Sequence, residues 1–176
     1  MKKLGVALIA LALLMLGSNY WSAHRPMQAA INGDPRNAGI AFWAYHHYLI
    51  DPQTLVIDVR ELDLEKSPAD VFRLLLQYAE QQQDRRFERV LLAARGQAKL
   101  VLSGEDFQTL GREYATQNPV YTMRTFAERL MTPDGEAAFP VRSGGIFYVL
   151  GAQMEDFVAV HQRWYMEEFA GENPGH

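Results

Sequence analysis

Cysteine is absent from all 176 residues. That excludes disulfides, a thiolate nucleophile, cysteine-held metal and a lipid-modified N-terminal cysteine. The chain also lacks a Gly-x-Ser-x-Gly elbow, a P-loop, a Gly-x-Gly-x-x-Gly turn and a His-Glu-x-x-His pair, so no motif assigns a reaction. Basic charge is scarce outside the start. Lys2, Lys3 and Arg25 are the only charged side chains among residues 1–30, and residues 31–176 carry 14 Lys and Arg against 21 Asp and Glu, a formal charge of −7. An acidic body of this kind repels phosphate backbones, which argues against nucleic acid as a partner and against adsorption to anionic lipid by charge alone.

Charge and polarity vanish altogether over the thirteen residues Leu4–Leu16, just after Lys2 and Lys3. A basic start followed by such a run is an export signal or a membrane anchor. Small residues do not stand where a cut after Ala23 or Ala30 needs them, because Trp21 and Gln28 occupy those places. Leu4–Trp21 gives 18 residues, the short end of a bilayer span. Tyr20 and Trp21 suit the outer interface and the lysines the inner side. The expectation is a single-pass inner-membrane protein, held by residues 4–21, with its C-terminal domain in the periplasm; a soluble periplasmic protein after cleavage is the alternative.

The chain divides into a signal peptide or anchor (1–21), a tether of small and polar residues (22–33), one globular α/β domain (34–170) and a disordered tail (171–176). Asp34-Pro35 reads as a helix start, predicting an aromatic helix to Ile50 with Phe42, Trp43, Tyr45 and Tyr48. Thr54–Arg60 alternates as a strand, with Leu55, Ile57 and Val59 on one face and Val56, Asp58 and Arg60 on the other. Ser67-Pro68, with Asp70 in the first turn, starts a helix striped by Val71, Leu74, Leu75 and Tyr78. Two strands, Arg89–Arg95 and Ala98–Ser103, flank a Gly96-Gln97 turn, and Ser103 with Asp106 caps the next helix. A short helix through Phe126, a strand at Ile146–Leu150 and a helix over Ala152–Phe169 complete the pattern. The fold class is α+β: a small mixed sheet of three to four strands, one face covered by helices and the other partly polar.

Candidate binding residues fall in two groups. Asn118, Tyr121, Thr122 and Arg124, with Thr125, make the segment densest in side-chain donors, with Arg124 suited to an anion. Asp58 and Arg60 share the polar sheet face, and Trp43 belongs to an aromatic surplus too large for one small core, which points to a partner or the bilayer surface. No catalytic residue, metal ligand or cofactor is assigned. His46 and His47 are adjacent, a poor spacing for one metal on a helix, and His161 lies within an apolar stripe. The leading expectation is a non-catalytic interaction module with an envelope protein as partner. The alternatives are an exported hydrolase using His46, His47 or His161 with Asp58 and Arg124, and a small-ligand sensor using the polar sheet face.

Overall fold

The computed structural model describes residues 2–63 and 65–170. In chain order the elements are α1 (Lys2–Asn19), a π-helical turn (Tyr20–His24), α2 (Arg25–Gly33), a short 3-10 turn (Pro35–Asn37), β1 (Ile40–His47) and β2 (Asp51–Leu62). Then come α3 (Pro68–Gln81), β3 (Arg89–Ala94), β4 (Gln97–Ser103), α4 (Gly104–Glu113), α5 (Pro119–Phe126), β5 (Leu130–Met131), α6 (Ile146–His161), a second π-helical turn (Gln162–Met166) and α7 (Glu167–Ala170). The five strands form one mixed sheet in the order β1-β2-β3-β4-β5. Only β2 and β3 are parallel, joined through α3; the other pairs are antiparallel. The α+β class stands, with one strand more than expected.

Alternation along β2 sets the layers. Leu55, Ile57 and Val59 face the buried core with Val90, Leu92, Leu100 and Leu102, under helices α2, α3 and α4. On the opposite face a cross-strand row runs Tyr45, Val56, Leu91, Val101, Met131. Val56 and Val101 are buried yet stand outside the main core cluster. Ser67 and Asp70 form a reciprocal capping box at the start of α3, and the Ser67 hydroxyl and N–H hold the Asp70 carboxyl down at about pH 2. Helices α3 and α4 approach so closely that a Cβ on Gly111 would overlap the Ala79 carbonyl. Gly111→Ala is therefore expected to destabilise by roughly 1–3 kcal/mol despite alanine's better helix propensity, as measured by chemical denaturation.

Three expectations are corrected. First, residues 22–33 are helix, not tether: one continuous helix runs from Lys3 to Gly33, long and apolar enough in its first part to cross a membrane or to serve as a signal sequence. Ala23, Met27 and Ala30 recur at helical spacing and bury against the domain. Pro26 cannot donate to the Ser22 carbonyl four residues back. That carbonyl instead accepts from Gln82 Nε2 at 3.1 Å and Arg85 Nη1 at 3.2 Å, while the Ala23 carbonyl accepts from the Tyr78 hydroxyl at 3.1 Å. The π-helical turn just before the proline absorbs the irregularity.

Second, the aromatic stretch after Asp34-Pro35 is a strand. Asp34 does cap, accepting from the Arg36 N–H at 3.0 Å, but the helix stops after one 3-10 turn. Gly39 then takes φ +82°, which ends the helical path. Ile40, Phe42, Ala44 and His46 turn inward at strand spacing. Third, Ile146–Leu150 is the exposed start of α6, not a strand; the apolar run is drawn into the helix whose later turns bury Ala152, Phe157 and Val160. The tail 171–176 lies outside the described residues.

Candidate functional site

The helix Tyr20–Gly33 runs antiparallel to β1, the edge strand of the sheet, with Asn19 beside His46 and His24 beside Trp43. Between them lies an open groove of about 650 Å3, lined by Asn19, Tyr20, His24, Trp43, Tyr45, Leu49 and Arg60. Two forces build it. Strand alternation sends Trp43 and Tyr45 to the face away from the core, in register with Asp58 and Val56. The helix is tied down at the far end, where Asn19 Oδ1 accepts from the His46 N–H at 2.7 Å and Asn19 Nδ2 donates to the Leu49 carbonyl at 2.7 Å. The Asn19 amide thus occupies the sheet edge at His46 as a neighbouring strand would.

Asp58 organises the outer wall. Its side chain is fully buried, and its carboxylate accepts from the Tyr45 hydroxyl at 3.2 Å and the Gly96 N–H at 3.1 Å and pairs with Arg60 Nη2 at 2.6 Å. A buried carboxylate is tolerable only with such partners. Burial and the neighbouring Asp58 charge push the Tyr45 phenol up from its ordinary value, so Tyr45 stays a neutral donor across physiological pH. Arg60 lies 4.9 Å over the Trp43 ring. Trp43 meets His24 edge-on at 6.1 Å, and His24 meets Tyr20 at 5.9 Å. Burial holds His24 below the usual imidazole range, leaving a neutral ring within a strip of stacked planar groups. Trp43 is 53% exposed at its centre.

Of the residues singled out from the sequence, Trp43, Asp58 and Arg60 come together here. Asn118, Tyr121, Thr122 and Arg124 do not join them. Asn118 caps α5 through the Val120 N–H at 2.9 Å, Thr122 donates back to the Asn118 carbonyl at 3.4 Å, and the Tyr121 carbonyl accepts from Thr125 at 3.1 Å. Arg124 donates to Gln153 Oε1 of α6 at 3.0 Å, and Gln153 in turn donates to Glu128 at 2.8 Å. This cluster fastens α5 to α6.

The residues named for hydrolysis are also dispersed. His46 Nε2 lies 2.8 Å from the Ser22 hydroxyl, His161 Nδ1 lies 3.0 Å from the Tyr165 hydroxyl, and His47 stacks on Tyr48 at 3.9 Å. Among the described residues no hydrogen bond or ion pair joins any two of His46, His47, His161, Asp58 and Arg124. Sequence reasoning missed Tyr20, His24, Asn19 and Leu49, because the groove exists only once residues 19–33 are helical. The signal was present: Ala23, Met27 and Ala30 repeat at i, i+4, i+7.

The geometry defines an α+β domain with a long N-terminal helix built into it and an aromatic groove at their seam. No family model matches the chain, and neither does any curated protein or solved structure.

Proposed function

We propose that the chain is a single-pass inner-membrane protein with its C-terminal domain in the periplasm, and that the domain is a non-catalytic binding module for an extended segment of another envelope protein. The observation that carries this reading is the groove with its half-exposed Trp43 beside β1, the edge strand of the sheet, which Asn19 occupies only at His46. An extended segment adding to that edge makes main-chain hydrogen bonds to β1 and lays side chains against Trp43, Tyr45 and Tyr20, the combination that gives strand addition both affinity and specificity. Exposed Phe147 at the start of α6 offers a second apolar contact.

Retention of the helix is supported by its bonding. A cut after Ala23 removes Asn19 from His46 and Leu49, Ser22 from His46 and the Ala23 carbonyl from Tyr78. Lys2 and Lys3 favour the inward side for the N-terminus.

Site-specific photo-crosslinking in intact cells tests the reading. A photoreactive residue at Trp43 is expected to yield a discrete protein adduct, and one at Glu105 on α4 is not. The His46 N–H points away from β2 to Asn19, so the Ala44 N–H, two residues away, shares that outward direction. Ala44→Pro therefore removes an edge donor without touching the β1–β2 ladder, and is expected to abolish the adduct at Trp43. Equal labelling at both positions, or an adduct indifferent to Ala44→Pro, overturns the strand-addition reading.

A further inference from the structure

The hairpin joining β1 to β2 is the least conventional turn in the described chain. Tyr48 and Leu49, neither of them glycine, both take positive φ, +51° and +64°. Consecutive left-handed residues with large side chains are costly. The conformation turns three apolar side chains outward: Tyr48 is 78% exposed, Leu49 42% and Ile50 62%. Tyr48 stacks on His47 at 3.9 Å, and its outer face, like that of Ile50, is open.

Their height relative to the apolar helix is fixed by bonding. The 18 residues Leu4–Trp21 rise about 27 Å as an α-helix, close to the roughly 30 Å of a hydrocarbon core. If that span crosses the bilayer, its outer boundary falls near Tyr20 and Trp21. Asn19 lies inside that boundary, and its side chain is bonded to the Leu49 carbonyl. The hairpin tip therefore stands at the depth of the last apolar turn. A crevice of about 430 Å3 separates the two; its walls are mixed, with Met15, Leu49 and Ile50 beside Ser18, Ser22 and Arg86, so a membrane contact there rests on the exposed side chains of the hairpin tip and on its height.

From this placement we infer that the Tyr48-Leu49-Ile50 hairpin is a second membrane contact, inserted beside the helix into the headgroup and upper acyl region. The domain is then seated on the bilayer in one orientation rather than hung from it. Charge contributes little: Arg85 and Arg86 at the rim are accompanied by Asp84 and Glu88, all four exposed. The attraction is the burial of apolar surface. The inference rests on the membrane-spanning reading, and its test separates the two.

The cysteine-free chain permits single labelling. Three variants, Leu11→Cys, Ile50→Cys and Glu61→Cys, each carry an environment-sensitive fluorophore on the full chain in vesicles. The vesicles are of phosphatidylcholine or of phosphatidylcholine with phosphatidylglycerol, with or without brominated acyl chains. Leu11 reports the span. Glu61 reports the distal end, since β2 runs from Asp51 at the hairpin to Leu62 and Glu61 is exposed near its far end. The expected result is quenching at Leu11 and at Ile50, each at least about twofold above Glu61, in both lipid mixtures and undiminished by salt. Quenching at Leu11 with Ile50 no better than Glu61 overturns the hairpin contact while leaving the anchor intact. Absence of quenching at Leu11 removes the anchor and the hairpin contact together. Quenching at Ile50 that requires phosphatidylglycerol and disappears with salt overturns the apolar mechanism.

Discussion

Lowering the pH from 6.5 to 4.5 is expected to reduce the melting temperature by roughly 4–8 °C, through about 2 kcal/mol lost by one side chain. His161 is fully buried among Phe157, Trp164 and Tyr165, and burial pushes its imidazole down to about 3 from 6.5. Its Nδ1 is bonded to the Tyr165 hydroxyl at 3.0 Å, and its Nε2 has no partner among the described residues. A proton on Nε2 would place an unpaired charge in an aromatic core.

The sign follows from comparing states. Above pH 6.5 neither the folded nor the unfolded chain protonates this ring, and its contribution is fully present. Below 6.5 the unfolded chain takes up the proton and the folded chain does not, so stability falls by about 1.4 kcal/mol per pH unit until the folded value is reached. His24 and His46 are also lowered by burial, and add smaller losses of the same sign. The carboxylates whose values are depressed, Asp34, Asp51 and Asp70, lose their contribution only at lower pH, so the window above about pH 4.5 isolates the histidines. His161→Gln keeps a partner for Tyr165 and is expected to flatten the profile between pH 6.5 and 4.5, whatever its effect on stability at pH 7. A profile as steep as that of the parent would place the proton elsewhere.

The middle of the fold was readable because its signals are local and agree with one another. Leu55, Ile57 and Val59 alternate; Ser67-Pro68 with Asp70 is a start signal needing no tertiary help; Ser103 accepts from the Asp106 N–H at 3.0 Å as its spacing implies. The failures came where a local signal was outvoted. Asp34-Pro35 starts a helix, but five residues on Gly39 ends it, and the bulky aromatics that follow are better accommodated on a pleated edge. Ile146–Leu150 has strand composition in isolation, yet is continuous with a strong helical stripe, and helix cooperativity extends over it.

The candidate site divides the same way. Asp58 and Arg60 share a face by the period of two, which a sequence displays directly. Trp43 joins them through a non-local pairing, opposite Asp58 across β1 and β2, and was suggested only by aromatic surplus. The Asn118–Arg124 segment looked rich in donors because caps and interhelical bonds use the same residue types as ligand sites do.

Met27→Ala is expected to destabilise the domain by about 2–5 kcal/mol, as large an effect as a central core residue gives. The thioether side chain is fully buried, in one cluster with Phe42, Leu75 and Tyr78. Were residues 22–33 a tether, the same change would cost nothing measurable. Asn19→Ala is the companion. It leaves the His46 N–H and the Leu49 carbonyl without the partners they have at a 6%-exposed position, for a further loss of about 1–3 kcal/mol. The two sites lie two helical turns apart and share no bonding partner, so their effects should add within about 0.5 kcal/mol.

Denaturant unfolding in detergent micelles, followed by near-ultraviolet circular dichroism of the aromatic core, measures both. Amide exchange over residues 46–50 distinguishes them: Asn19→Ala should loosen that hairpin locally even where the core still holds, whereas Met27→Ala should act on global opening. The distinction bears on function. The groove needs two walls, and one of them is the helix. A domain that kept its fold but released the helix at Asn19 would retain Trp43, Asp58 and Arg60 in place and lose Tyr20 and His24 from the opposite side. The Trp43 adduct should then weaken in Asn19→Ala cells although the sheet is unchanged, because the edge of β1 would stand open with nothing to hold an incoming strand against it.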